Sequence, residues 1–257
     1  MQKQSKSVTK TSPIQLATKQ DKLSMTNSIN LHLDAVRSTW SMPDNFHQQI
    51  DARHAELFER IVKRDRYTCQ ACGLQSRRFL EVHHLDHNHN NCDEKNLACI
   101  CPLCHMTMHM GRAGQQGEAV LIWLHPQHQQ LSQASLNMLV LTCVVANRYI
   151  HTVSDASRTL LSDLARHQAV AERLIGTSRP EILGEAILRL NKNKEAHDKR
   201  HELLEGLRLL WTGKLFRRGK DIAPEMVSWM AFDPGGPFGG HEPERWKPLY
   251  HRLAKEQ

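Results

Sequence analysis

Tyr67-Thr-Cys69-Gln-Ala-Cys72-Gly73 opens the stretch that decides how this chain reads. It continues through Leu80-Glu-Val-His83-His84-Leu-Asp86-His87-Asn-His89 and Asn96-Leu97 to Cys101-Pro-Leu-Cys104-His105-Met-Thr-Met-His109. The two-residue gap in each Cys-x-x-Cys pair lets both sulfurs converge on one ion, and Gly73 permits the tight turn after the second ligand. Four thiolates from Cys69, Cys72, Cys101 and Cys104 close a tetrahedral shell, so the spacing predicts a structural zinc site with no open coordination position. Such a site folds a segment too small to bury a core of its own. Cys99, in Cys99-Ile-Cys101, is the rival ligand, although the gap of Cys101 and Cys104 fits better. Cys143 lies in an apolar helix and reads as core, and Cys92 has no evident role.

The histidines between and after the cysteines suggest a second site. His105 and His109 are four apart, so on a helix they share a face and can bind one metal. His83 and His84 are adjacent on an expected strand, so their side chains point in different directions. One can hold a cation while the other activates water. His87, His89 and Asp86 fall in the intervening loop and read as solvated.

The order Cys-x-x-Cys, His-His, Asn-Leu, Cys-x-x-Cys-His, x-x-x-His resembles the HNH nuclease family in its four-cysteine variant. That resemblance implies a β-hairpin followed by a helix, holding one divalent cation (Mg, Mn, Ni or Zn) against a scissile phosphate. It implies that His83, His105 and His109 are the cation ligands, that His84 is the general base, and that Asn96 tethers the hairpin loop and helps orient the base. Three protein ligands leave coordination positions open for phosphate and water.

Composition is compatible with this reading. The chain has 257 residues, a net charge of +7, 17 histidines and seven cysteines. The basic balance favours nucleic acid or an acidic protein surface as partner. An odd cysteine count and a polar N-terminus without an apolar core segment argue for reduced thiols in the cytoplasm rather than a disulfide framework. No stretch approaches the length of a membrane span, so the chain is not expected to be an integral membrane protein. Lys63, Arg64, Arg66, Arg77 and Arg78 flank the first cysteine pair and are candidates for DNA contact. Lys214, Arg217, Arg218 and Lys220 form a second basic group. For both groups a solvated helix end or loop is an equal reading.

Outside the metal segment, the alternation of Ile29, Leu31 and Leu33 predicts a short strand. Ile50, Leu57, Phe58, Ile61 and Val62 fall on one face of a helix over Gln48–Lys63. Val120–Leu124 reads as a strand. Helices are expected over Ser132–Tyr149, Ser154–Ile175, Arg179–Asn191, Lys194–Leu210 and Ala223–Met230. The expected fold class is α+β, a ββα-metal (HNH-like) zinc module with a mainly α-helical C-terminal half. The expected divisions are a disordered tail over 1–28, the zinc module with its flanking strand and helix over 29–125, a helical region over 126–231, and a Gly/Pro-rich linker with a basic tail over 232–257.

The flanks carry a second resemblance. Ile61-Val-Lys-Arg-Asp-Arg-Tyr-Thr-Cys-Gln70, Gly73 and Gln75-Ser-Arg77 are similar to the IcmJ (DotN) family of type IVB secretion systems. So are Gly117-Glu-Ala-Val-Leu-Ile-Trp-Leu124, the Leu131–Asn147 helix, and Leu207-Arg-Leu-Leu210 with Lys214-Leu-Phe-Arg217. This resemblance implies a zinc-containing subunit of a coupling complex, in secretion or conjugative DNA transfer. The implied partners are a coupling ATPase and adaptor subunits at the cytoplasmic face of the inner membrane. In that family the catalytic histidines can be absent, whereas this chain retains His83, His84, Asn96, His105 and His109.

Overall fold

The computed structural model describes Ile29, Leu31, Leu33 and residues 52–124, 131–149, 151–190, 199, 202 and 204–236. Helix α1, Ala52–Arg64, is amphipathic. Ile61 and Val62 on its apolar side are buried against Leu97 and Cys99, while Phe58 stays 36% exposed. The start expected at Gln48, and Ile50, lie outside the described residues. Arg66 and Tyr67 then both adopt left-handed backbone, which swings the chain off the helix. A bridge between Thr68 and Gln75 brackets the first cysteine pair. Inside it, Cys69 N–H donates to the Leu74 carbonyl and Gly73 N–H donates to the Cys69 carbonyl. Gly73 has φ +76°, the conformation for which glycine has no Cβ penalty.

Strands β1 (Glu81–His84) and β2 (Leu97–Ile100) pair antiparallel, with His83 opposite Ala98 and His84 opposite Leu97. Every β2 residue is buried, because Leu97 and Cys99 meet α1 while Ile100 joins the main core. Helix α2 (Pro102–Met108) follows at once. Cys101 caps it in extended backbone, and Pro102 supplies the preset φ of a first turn without sacrificing a needed donor. His109 breaks the helix before α3, Met110–Gln115.

Strand β3 (Ala119–Trp123) is followed by α4 (Gln133–Tyr149), α5 (His151–Ile175) and α6 (Pro180–Leu190). Strands β4 (Leu207–Trp211), β5 (Phe216–Arg217) and β6 (Lys220–Asp221) precede α7, Ala223–Phe232. Helix α5 packs on α4 and β3, and α6 packs on α3. Residues from both ends of the chain share one continuous core, including Cys69, Leu103, Leu136, Val140, Leu209 and Trp229. The Trp229 ring lies 5.3 Å from that of Phe79, tying α7 to the cysteine segment.

The mixed helix and strand content agrees with the expected α+β class. The longest element to differ from expectation lies late in the chain, where the short strands β5 and β6 were not expected either. The end of the helix expected over Lys194–Leu210 is strand β4, paired to β3 with Leu209 opposite Leu121 and Trp211 opposite Ala119. Residues 194–198, 200, 201 and 203 of that expected helix lie outside the described residues. Leu204, Leu207 and Leu210 satisfy a helical spacing while Leu207, Leu209 and Trp211 satisfy that of a strand, and the available edge of β3 decides between them. The opposite edge of β4 is closed by a side chain. Gln133 Nε2 donates to the Leu209 carbonyl and Gln133 Oε1 accepts from Leu209 N–H, both at 2.8 Å.

Leu31 and Leu33 are buried, as the alternation predicts, and Ile29 N–H donates to the Gln70 carbonyl. No strand is assigned at these three residues, and the expected tail over 1–28 lies outside the described residues. The linker and tail are described only as far as 236, where Asp233 Oδ1 accepts from Gly235 N–H in a tight turn.

Candidate metal centres

The knuckle at Cys69–Gly73 and the start of α2 bring four sulfurs together. Those of Cys69, Cys72, Cys101 and Cys104 all lie within 4.8 Å of one another. Cys72 Sγ and Cys101 Sγ are 3.7 Å apart. A tetrahedral ion with metal–sulfur bonds of about 2.3 Å holds its sulfurs about 3.8 Å apart, so the cluster is already dimensioned for such an ion. Hydrogen bonds from Cys101, Cys104 and Cys72 hold the Cys69 thiol below its ordinary pKa.

Cys99 stands outside this set. Burial, then the nearby Asp65 carboxylate, pushes its thiol up to about 12, which suits a core thiol packed against α1 and not a ligand. Cys143 is buried and Cys92 is exposed. The cluster also reaches into the later part of the chain. Asn137 of α4 donates from Nδ2 towards Cys104 Sγ at 3.6 Å, and its Oδ1 accepts from Gln133 Nε2 at 2.8 Å. A buried polar line thus runs from the edge of β4 to a cysteine sulfur.

The second cluster joins His83 from β1, His105 from α2 and His109 from the α2–α3 junction. His105 and His109 do not lie on one unbroken helix, yet their Nε2 atoms are 3.0 Å apart. Two metal–nitrogen bonds of about 2.1 Å separate their nitrogens by about 3.0 Å at a right angle and about 3.4 Å at the tetrahedral angle, so a small opening of the pair suits a tetrahedral ion. His83 is 2% exposed, and its Nε2 is buried without a hydrogen-bond partner. An uncompensated buried nitrogen is costly, and a cation is one way to satisfy it. Burial, then the neighbouring His105, pushes His83 down to about 2. Burial, followed by the same neighbour, lowers His109 as well. Both rings are therefore neutral at physiological pH, the form a metal needs. His84 is half-buried and faces away from His83, as strand alternation requires.

Asn96 holds the hairpin loop. Its Oδ1 accepts from Asp86 N–H, and its Nδ2 donates to Asp86 Oδ1 and to the Asn91 carbonyl.

The chain is similar to the Type 4 apparatus protein DotN of Legionella pneumophila. The two are 34% identical over 177 residues, which span 66% of this chain and 79% of that protein. The chain belongs to the DotN (IcmJ) family. No protein-family model matches it.

In this DotN-family chain, Glu81 and Glu118, which carried no site reading in the sequence, and Arg217 of the second basic group support the histidine centre. Glu81, two residues before His83, meets His105 Nδ1 through Oε2 at 2.5 Å. Arg217 Nε donates to Glu81 Oε1 at 2.5 Å, and Arg217 Nη2 donates to the Pro102 carbonyl at 3.0 Å. Glu118 lies 3.4 Å from Arg217 Nη1 and accepts from Phe216 N–H. Burial pushes the Glu81 carboxyl up, but the Arg217 charge and the His105 hydrogen bond together hold it below its ordinary range. An ionised Glu81 takes the Nδ1 proton of His105 as its hydrogen bond and leaves Nε2 free to bind a metal. The only sequence signal for this was an acidic residue at β1 alternating with the ligand position. Nothing in spacing linked it to an arginine more than a hundred residues away.

The basic candidates divide. Arg64 donates to Asp65 Oδ1 at 2.8 Å, to the Leu97 carbonyl at 2.6 Å and to the Glu94 carbonyl. Lys63 pairs with Glu59 at 3.6 Å, Arg77 sits 4.5 Å over the Tyr67 ring, and Arg78 pairs with Glu225. Arg66 lies at the left-handed turn after α1. In the second basic group, Arg217 is committed to Glu81 and Lys220 pairs with Glu225 at 3.4 Å. No helix among the described residues is long and apolar enough to cross a membrane.

Proposed function

We propose that this chain is a zinc-organised, HNH-like subunit of a type IVB secretion or conjugative DNA transfer coupling complex. The observation that carries the role is its similarity across most of its length to the Type 4 apparatus protein DotN. The observation that supports zinc at Cys69, Cys72, Cys101 and Cys104 is the sulfur cluster, with its 3.7 Å spacing. The hairpin β1–β2 running into α2 supports a ββα arrangement in the metal segment. On this reading the protein works in the cytoplasm, at the inner face of the membrane, through a coupling ATPase and its adaptor subunits. The test is co-purification of the tagged full chain with the coupling ATPase of its own transfer system. Retention of the ATPase by wild type and by His84→Ala alike is the expected result. Failure of wild type to retain it removes the role.

A second reading is favoured by the histidine cluster. His83, His105 and His109 would hold a divalent cation, His84 would activate water, and Asn96 would fix the loop beside it. Bound there, the cation would supply charge stabilisation for a phosphate. The groups named are those of an HNH endonuclease acting on double-stranded DNA, with Lys63, Arg66 and Arg77 as candidate contacts to the backbone. The assay is nicking of supercoiled plasmid with Mg, Mn, Ni or Zn. Cleavage by wild type that is lost in His84→Ala supports this reading. No cleavage with any cation, from folded and metal-loaded protein, removes it and leaves the first intact.

A further inference from the structure

We propose that His87 is a fourth ligand of the histidine centre, closing an all-imidazole shell around a zinc-class cation. The proposal rests on the reading of His83, His105 and His109 as a metal centre, and adds a loop residue that spacing alone placed in solvent.

Four observations carry it. His87 adopts left-handed backbone with φ +59°, uncommon for a residue with a side chain. Its N–H donates to the His84 carbonyl at 2.9 Å, so the chain reverses immediately after β1. The reversal lays the His87 ring edge-on against His83, with centroids 5.1 Å apart and planes at 70°. Its Nδ1 is shielded from solvent although the residue belongs to a surface loop. The preceding residue is clamped as well, since Asp86 accepts from Asn88 N–H, Asn91 Nδ2 and Asn96 Nδ2. The loop therefore delivers His87 to the metal side of the strand. His89 is delivered to the other side, where its ring lies 4.8 Å from that of His84.

His87 lies outside the set of nitrogens within 4.8 Å formed by His83, His105 and His109, so the proposal requires its ring, which already meets His83, to turn into the shell. A tetrahedral zinc ion needs four donors, and three histidines leave one place. Water or a phosphate oxygen would use that place in a hydrolytic site. With His87 in it the ion is coordinatively saturated, and an anion binds only by displacing the ring. This arrangement reconciles an intact histidine set with a structural role in a transfer complex.

The test is titration of the full-length protein, zinc-loaded at the cysteines, with Co²⁺, read by ligand-field absorption. Thiolate-to-cobalt charge transfer reports any exchange at the cysteines. Wild type is expected to show a four-coordinate nitrogen spectrum that does not respond to inorganic phosphate. His87→Ala is expected to bind Co²⁺ at least about tenfold more weakly, with a spectrum that phosphate shifts; loss of an outer partner alone costs that much. His89→Ala is expected to match wild type. If His87→Ala keeps the wild-type affinity and spectrum while His83→Ala loses binding, the His87 proposal fails and the three-histidine centre stands. If wild-type protein with loaded cysteines takes up no Co²⁺ at the histidines, both fall.

Discussion

His105 Nδ1 and Glu81 Oε2 lie 2.5 Å apart, and the other oxygen of Glu81 is held by Arg217. An imidazole from α2, a carboxylate from β1 and a guanidinium from β5 thus form one chain of hydrogen bonds. Glu81→Gln removes the ionised acceptor that selects the His105 tautomer. It is expected to weaken Co²⁺ or Ni²⁺ binding at the histidines by about 10–100-fold while leaving the cysteine-bound metal stoichiometric. Arg217→Met leaves the half-buried Glu81 without its guanidinium partner and is expected to cost about 1–3 kcal/mol in urea unfolding. Unchanged metal affinity in Glu81→Gln would separate this network from the metal centre.

Cys69 and Cys99 are both fully buried, yet only Cys69 belongs to the four-sulfur set. Cys69→Ser is expected to lose the bound metal and the cooperative folding of the segment around it, because the free energy of metal binding is folding free energy there. Cys99→Ala is expected to keep the wild-type metal content and cost about 1–2 kcal/mol from lost packing. Metal content by colorimetric chelation, with urea unfolding of each variant, separates the two outcomes. Full metal occupancy in Cys69→Ser would overturn the assignment.

His83 is held at about 2, against an ordinary value of 6.5, chiefly by burial. The unfolded chain therefore takes up a proton at this residue below about pH 6.5, and the folded chain does not until far lower pH. Stability from this group is fully present above pH 6.5 and is lost as pH falls below it. The slope is at most about 1.4 kcal/mol per pH unit. His109 acts in the same direction. With metal at the cysteines only, urea midpoints measured between pH 7.5 and 5.5 should fall less steeply for His83→Gln than for wild type. Equal slopes would contradict the buried neutral state of His83.

Gln133 is 4% exposed and occupies both backbone groups of Leu209. Gln133→Leu leaves a buried N–H and a buried carbonyl without partners, and removes a partner of Asn137 beside Cys104. The expected loss is about 2–4 kcal/mol in chemical denaturation, since each stranded group costs about 1–3 kcal/mol. A loss under about 0.5 kcal/mol would mean that water or a shifted strand replaces the side chain.

Much of the clustering of the cysteines and histidines was legible in the sequence, for a local reason. Two-residue cysteine gaps, adjacent histidines on a strand and an i, i+4 histidine pair specify geometry within a turn or a strand, where backbone sterics leave few alternatives. Helices α4 to α7 were legible too, because apolar periodicity and a first-turn proline such as Pro180 are local signals. Strand β4 was misread as helix because its leucines fit both periods, and only pairing with β3 separates them.

By itself the sequence determined which residues could ligate a metal and which segments could bury an apolar face. Tertiary structure alone decided what supports those ligands. Arg217 reaches Glu81, Asn137 reaches Cys104, and His87 turns back onto His83. The physical reason is range. Ligand spacing and helix period are set by covalent geometry over a few residues, whereas a buried hydrogen bond between distant residues exists only once packing brings its partners together and excludes the water that would compete for them.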